Sequence, residues 1–130
     1  MRYLRNVLVL TVAAALVVPL AGSALAKDGD VIRRGGCSGA SDWKLKLSED
    51  NGRIEVEYEV DQNAVGDRWR VKIRHDGELV FSGVRRTRGA SGSFEVRIVE
   101  RNGPGQDEFN ARARNRSTGE VCGGRAVWTA

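Results

Sequence analysis

Arg68-Trp69-Arg70-Val71-Lys72-Ile73-Arg74-His75-Asp76-Gly77 is the stretch whose reading decides the fold. Trp69, Val71 and Ile73 alternate with Arg68, Arg70, Lys72 and Arg74, the period-2 pattern of a strand with one face buried and the other in water. Asp76-Gly77 closes it as a hairpin turn, because glycine accepts the positive φ that such turns require. The same period recurs in both directions. Upstream, Ile54, Val56, Tyr58 and Val60 alternate with Glu55, Glu57 and Glu59, and Trp43, Leu45 and Leu47 alternate with Lys44 and Lys46, with a turn at Glu49-Asp50-Asn51-Gly52 between them. Downstream comes a less regular run from Glu78 to Val84, then Phe94, Val96 and Ile98 on one parity. A Gly103-Pro104-Gly105 loop leads to Phe109, Ala111 and Ala113, and a last strand runs through Cys122 to Trp128 after Ser117-Thr118-Gly119. Gly123 and Gly124 hide the parity of that last strand. No segment of the domain holds a 3.6-residue period. Short strands with turn signals at regular spacing predict an all-β, seven-strand antiparallel sandwich.

The ends of the chain set its organisation. Arg2 and Arg5 precede an apolar run from Val7 to Ala21, and Ser23-Ala24-Leu25-Ala26 supplies small residues before Lys27. A basic head, an apolar stretch and a small-x-small site in that order predict a cleavable signal peptide over 1–26. The run could nearly span a bilayer, but Pro19 and Gly22 near its end argue for cleavage over anchoring. The arginines are not adjacent, no Cys stands at the cleavage site and Trp128-Thr129-Ala130 is no anchor, so the expected location is extracellular and the product free of the membrane. Residues 27–40, rich in glycine, read as a flexible lead-in, and residues 41–130 as the sandwich. Outside the membrane Cys37 and Cys122 are expected to form a disulfide. They stand 85 residues apart, a loop for which chain-entropy models assign about 4–5 kcal/mol. Loss of Arg2 and Arg5 lowers the formal net charge from +4 to +2.

Phe109-x-Ala111-x-Ala113-x-Asn115 followed by Thr118-Gly119 resembles the penultimate strand and turn of fibronectin type III domains, and Trp69 resembles the core tryptophan of immunoglobulin-like sandwiches. The resemblance covers about residues 41–128 and implies an immunoglobulin-like fold. Phe109 stands where that pattern carries a tyrosine, so the hydroxyl of a tyrosine corner is missing. The cysteines also lie on the lead-in and last strand rather than on the antibody pair of strands. The whole chain resembles a family of small secreted actinobacterial proteins with immunoglobulin-like domains, which brings no activity with it.

Catalytic chemistry is not expected. His75, the sole histidine, reads as a solvated turn residue beside Asp76, with no nucleophile motif elsewhere. Two distant cysteines lack the close spacing of a redox pair or a metal set. Glu55, Glu57 and Glu59 share one strand face instead of flanking a cleft, and read as solvated. Asp61-Gln62-Asn63, Asp67 and Asp107-Glu108 match no calcium spacing. Asn115-Arg116-Ser117 fits a glycosylation sequon, but the fold accounts for its asparagine. Trp43 and Trp69 fall on the apolar parity and read as core. The expected assignment is a secreted non-enzymatic binding module without catalytic, cofactor or metal residues. Its partner is undetermined: a protein or an anionic cell-envelope polymer, with nucleic acid not an expected ligand. A secreted hydrolase or inhibitor without a recognisable motif is the remaining alternative.

Charge placement carries the one sharp expectation. If Trp69, Val71 and Ile73 face the core, then Arg68, Arg70, Lys72 and Arg74 face out. The same parity turns out Arg112, Arg114 and Arg116 opposite Phe109, Ala111 and Ala113. In a fibronectin-like topology these two strands are neighbours, and the two rows merge into one basic face. The glutamates on the other sheet can pair with Lys44 and Lys46 across strands.

Overall fold

A computed structural model describes residues 26–129; the predicted signal segment through residue 25 lies outside the described residues. Eight strands follow in order: β1 (Val31–Gly36), β2 (Asp42–Asp50), β3 (Arg53–Asp61), β4 (Arg68–His75), β5 (Glu78–Arg86), β6 (Ser93–Glu100), β7 (Gln106–Asn115) and β8 (Val121–Thr129). They form two antiparallel four-stranded sheets, β1-β2-β3-β6 and β5-β4-β7-β8. The core lies between them. Leu45, Leu47, Ile54, Val56 and Val60 from the first sheet meet Trp69, Val71, Ile73, Phe109 and Ala113 from the second, each fully buried. Burying an aliphatic or aromatic side chain of this size stabilises by about 1.5–3 kcal/mol, so the alternation read from the sequence supplies most of the driving force.

Eight strands replace the expected seven because the lead-in is not free. Val31–Gly36 pairs with β2 along its whole length, from Val31↔Leu47 to Gly36↔Asp42. Gly35 serves packing: a Cβ on it would stand 2.8 Å from the Trp43 ring. The lead-in then joins the far sheet. The Cys37–Cys122 disulfide links it to β8, Ser38 N donates to Val121 O at 2.8 Å, and Val121 N donates to Ser38 Oγ at 2.8 Å. Tyr58 completes this seam by donating its hydroxyl to Cys122 O at 3.0 Å, and burial pushes its phenol far above the ordinary range.

The last strand keeps an even inward parity, with Cys122, Ala126 and Trp128 buried. Its ladder to β7 runs without interruption from Gln106↔Thr129 to Arg114↔Val121. The paired glycines do not bulge it; the irregularity in this sheet falls between Ile73 and Arg74, where β4 meets β5. The segment 85–92 between the strands is largely tied down. Arg85 and Arg86 end β5, Thr87 is fully buried, and Arg88 bridges to Ser93.

Asn115 organises the corner after β7. Its Oδ1 accepts from Ser117 N at 2.8 Å and Thr118 N at 3.1 Å, while its Nδ2 donates to Asp67 Oδ2 at 2.9 Å. Gln62 Nε2 donates to the same oxygen at 2.6 Å and Gln62 Oε1 accepts from Trp69 Nε1 at 3.1 Å. The Asp67 carboxylate is thus engaged in tying two turns to the core tryptophan. Hydrogen bonds from Asn115 and then Gln62 hold its carboxyl below the usual range. A carboxyl whose folded pKa is depressed adds stability above its unfolded value, and that stability is lost as pH falls through the folded value. Asp67→Asn is therefore expected to lower the urea midpoint at neutral pH, with the gap to wild type narrowing below about pH 4. A gap independent of pH contradicts this role.

Candidate functional site

The outward face of the second sheet collects the cations. In the β4–β7 ladder Arg70 stands opposite Arg114 and Lys72 opposite Arg112, while Arg74 faces Asn110. Arg68 lies at one end, where Arg116 N donates to its carbonyl at 2.8 Å. All seven of the cations anticipated from parity are exposed, six on the sheet and Arg116 in the turn after β7, and β4 and β7 are the neighbours that the expected merging of rows required. Two further arginines join them. Arg86 pairs with Arg68 across β4–β5, and Arg125 stands opposite Asn110 on β8. Neither was visible in the sequence, because the β4–β5 irregularity and the β8 glycines hid the parity of their strands.

Most of these cations have no ion-pair partner. Among the described residues, Arg68, Arg70, Lys72, Arg74, Arg112, Arg114 and Arg116 form no ion pair, whereas Arg125 holds Glu108 at 2.7 Å. The outward face of the first sheet is the opposite case. Lys44 meets Glu59 at 3.9 Å, and Lys46 meets Asp30 at 3.6 Å and Glu57 at 3.9 Å. Arg97 reaches Glu55 at 2.7 Å and Glu57 at 3.2 Å. The glutamate row is accordingly less solvated than its outward parity suggested: Lys46 and Glu57 are buried, screened by Asp30 and Arg97. Burial raises the Glu57 pKa, and the hydrogen bond from Arg97 lowers that of Glu55.

The cations border a groove of about 980 Å³, whose lining is more apolar than polar. Arg70, Lys72, Arg112 and Arg114 line it on the β4–β7 side, and Gly123, Gly124 and Trp43 on the β8 side. Trp43 is only partly buried, although its parity is inward, because its ring reaches the open edge of the sandwich. There it passes Gly35 and Gly124, at each of which a Cβ would collide with the indole. The disulfide between Cys37 and Cys122 holds β8 against this edge. Two smaller depressions extend the basic surface. One shares Arg70 and Arg114 and adds Arg116; the other is lined by Arg68, Arg85, Arg86 and Arg88, with Glu95 among them.

His75 departs most from the sequence reading. It is the last residue of β4, continuing the inward parity of Trp69, Val71 and Ile73, and is only 1% exposed. Its Nε2 bonds Asp107 Oδ1 at 2.7 Å and its Nδ1 bonds Glu100 Oε1 at 3.0 Å. The ring stacks on Phe109 with centroids 4.3 Å apart. His75, Asp76 and Asp107 bring three potential metal-ligand atoms within 4.8 Å of one another. Their atoms are already engaged: Asp107 also accepts from Gly103 N at 3.2 Å, and Asp76 accepts from Glu108 N at 2.8 Å. With both ring nitrogens on carboxylates, neither is left for a hydroxyl nucleophile, and the cluster works as a tie between β4, β6 and β7. Comparison with protein-family models, curated proteins and solved structures finds no match to this chain, so a functional reading rests on the chain's own geometry.

His75→Leu fills the same space but leaves buried Asp107 without its ring donor. Removing one partner of a buried hydrogen bond and leaving the other unsatisfied costs about 1–3 kcal/mol, more where the orphaned group is a carboxylate, and chemical denaturation is expected to show a loss of about 2 kcal/mol or more. A loss below about 1 kcal/mol, the scale of a surface pair, would contradict the tie.

Proposed function

We propose that this is a secreted, non-enzymatic binding module of fibronectin type III-like architecture that holds linear anionic polymers of the cell envelope along its basic face. The arrangement β2-β3-β6 against β5-β4-β7-β8 supports the architectural part, with β1 as an added edge strand. So does the Asn115 corner, in which the asparagine of the resemblance holds the turn after β7.

The observation that carries the functional part is the unmatched pairing of Arg70 with Arg114 and Lys72 with Arg112. Like charges opposite each other in a ladder destabilise it; on the outward face of the other sheet Lys44, Lys46 and Arg97 do find carboxylate partners, although Arg34 stands opposite Lys44 and Glu59 opposite Glu95 there. A ligand bearing anions at intervals would offset that repulsion. The extent of the surface favours a polymer over a small anion. From Arg68 to Arg74 the strand advances about 20 Å at ~3.3 Å per residue, and the two smaller depressions lengthen the track past Arg68. The exposed apolar residues of edge strand β5, Leu79 at 44% and Val84 at 36%, support a second reading in which a partner protein docks there. Ionic strength separates the two, because polyanion contacts weaken steeply with salt.

The test compares two variants of equal charge on a dextran sulfate column. Reversal of Arg70, Lys72, Arg112 and Arg114 to Glu is expected to abolish retention with the fold intact, since exposed substitutions cost little. Reversal of the exposed Arg33, Arg34, Arg53 and Arg101 is expected to leave most of it. Equal elution of the two variants would contradict the proposal, and salt-independent capture of a protein partner would favour the β5 reading.

A further inference from the structure

Glycine inside a strand weakens it, through lost conformational entropy and a missing side chain, and marks a bulge, a bend or a close approach. β8 carries two in succession. Gly124 is explained by the Trp43 ring, which leaves no room for a Cβ. Gly123 has no such explanation. It is exposed, its φ is not among the positive ones, and its ladder with Arg112 is unbroken. A Cβ built on it would meet nothing nearer than Ala111 O at 3.9 Å. The fold itself therefore leaves this backbone open, at the floor of the groove that Trp43, Arg112 and Arg125 also line, where a ligand could approach it closely.

We infer that Gly123 and Gly124, with the exposed edge of Trp43, form the floor of a sugar-ring subsite, so that the ligand of the basic face is an anionic glycan and not a ring-free polyanion. The inference rests on the polymer-binding reading above. The bare strip gives a ring access to flat backbone, and Trp43 adds an aromatic edge. Arg112 stands directly opposite Gly123, and Arg125 flanks the strip on the same strand. A pyranose lying on the strip thus has its neighbouring anionic groups within reach of Lys72, Arg112 and Arg114. A chain of phosphates alone would use the arginines and leave the apolar lining and the Trp43 edge of the groove unused.

Gly123→Val is a clean probe, since the space is open and every cation stays in place. Wild type and variant would be titrated with dextran sulfate, linear polyphosphate and uncharged dextran, with circular dichroism to confirm the fold. The expected result is a tenfold or greater loss of affinity for dextran sulfate, with less than a twofold change for polyphosphate and no binding of uncharged dextran. Equal losses for both polyanions, or no loss for either, would overturn the ring subsite while leaving the basic face standing. Failure of wild type to bind either polyanion would overturn both. Trp43→Phe supplies an independent readout. Trp69 and Trp128 are 0% and 9% exposed, so dextran sulfate should quench wild-type tryptophan fluorescence and leave that of the variant nearly unchanged. Quenching that persists in the variant would count against the subsite.

Discussion

The pairing of β4 with β7 is the contact on which the rest depends. It sets Trp69, Val71 and Ile73 beside Ala111 and Ala113 on the inner side of the second sheet. Because the side-chain period is two, the same register forces Arg70 against Arg114 and Lys72 against Arg112 on the outer side. A slip of one residue would relieve the repulsion only by sending the arginines into the core. The core contact is worth several kcal/mol and the repulsion tenths to about 1 kcal/mol per pair, so the core prevails and the basic face is its consequence.

The seam between β1 and β8 then shapes that face. The disulfide, the Ser38–Val121 bonds and the carboxylate of Glu120, which accepts from Gly39 N and Ser41 N, draw the two edges together. That closure brings Trp43 of the first sheet to the margin of the second, and Gly35 of β1 and Gly124 of β8 make room for its ring. A residue on the inward parity of one sheet thereby lines a groove on the outer face of the other.

Much of this was legible in the chain itself. Strand parity located the core and the outward cations, and the two cysteines were rightly paired. What escaped did so for physical reasons. The strand β1 is thinly patterned, because Gly35 and Gly36 contribute no apolar side chain and Gly35 serves only the close approach of Trp43. His75 obeys the inward parity of β4, but the adjacent Asp76-Gly77 turn made it read as solvated; only the arrival of Glu100 and Asp107 from β6 and β7 makes a buried imidazole tolerable. The burial of Lys46 and Glu57 depends on Asp30 folding over them, which no local pattern encodes. Arg86 and Arg125 depend on ladder register, which a single chain does not display.

The central claim is that the cation rows are an unrelieved repulsion held for a polyanion, and Arg114→Gln tests it most directly. Its urea midpoint would be measured with and without dextran sulfate. If the claim holds, the free variant is slightly more stable than wild type, by tenths of a kcal/mol, yet gains less stability from the polymer, because a ligand stabilises only in proportion to its hold on the folded state. A free variant no more stable than wild type, or one that gains as much from the polymer, would contradict it.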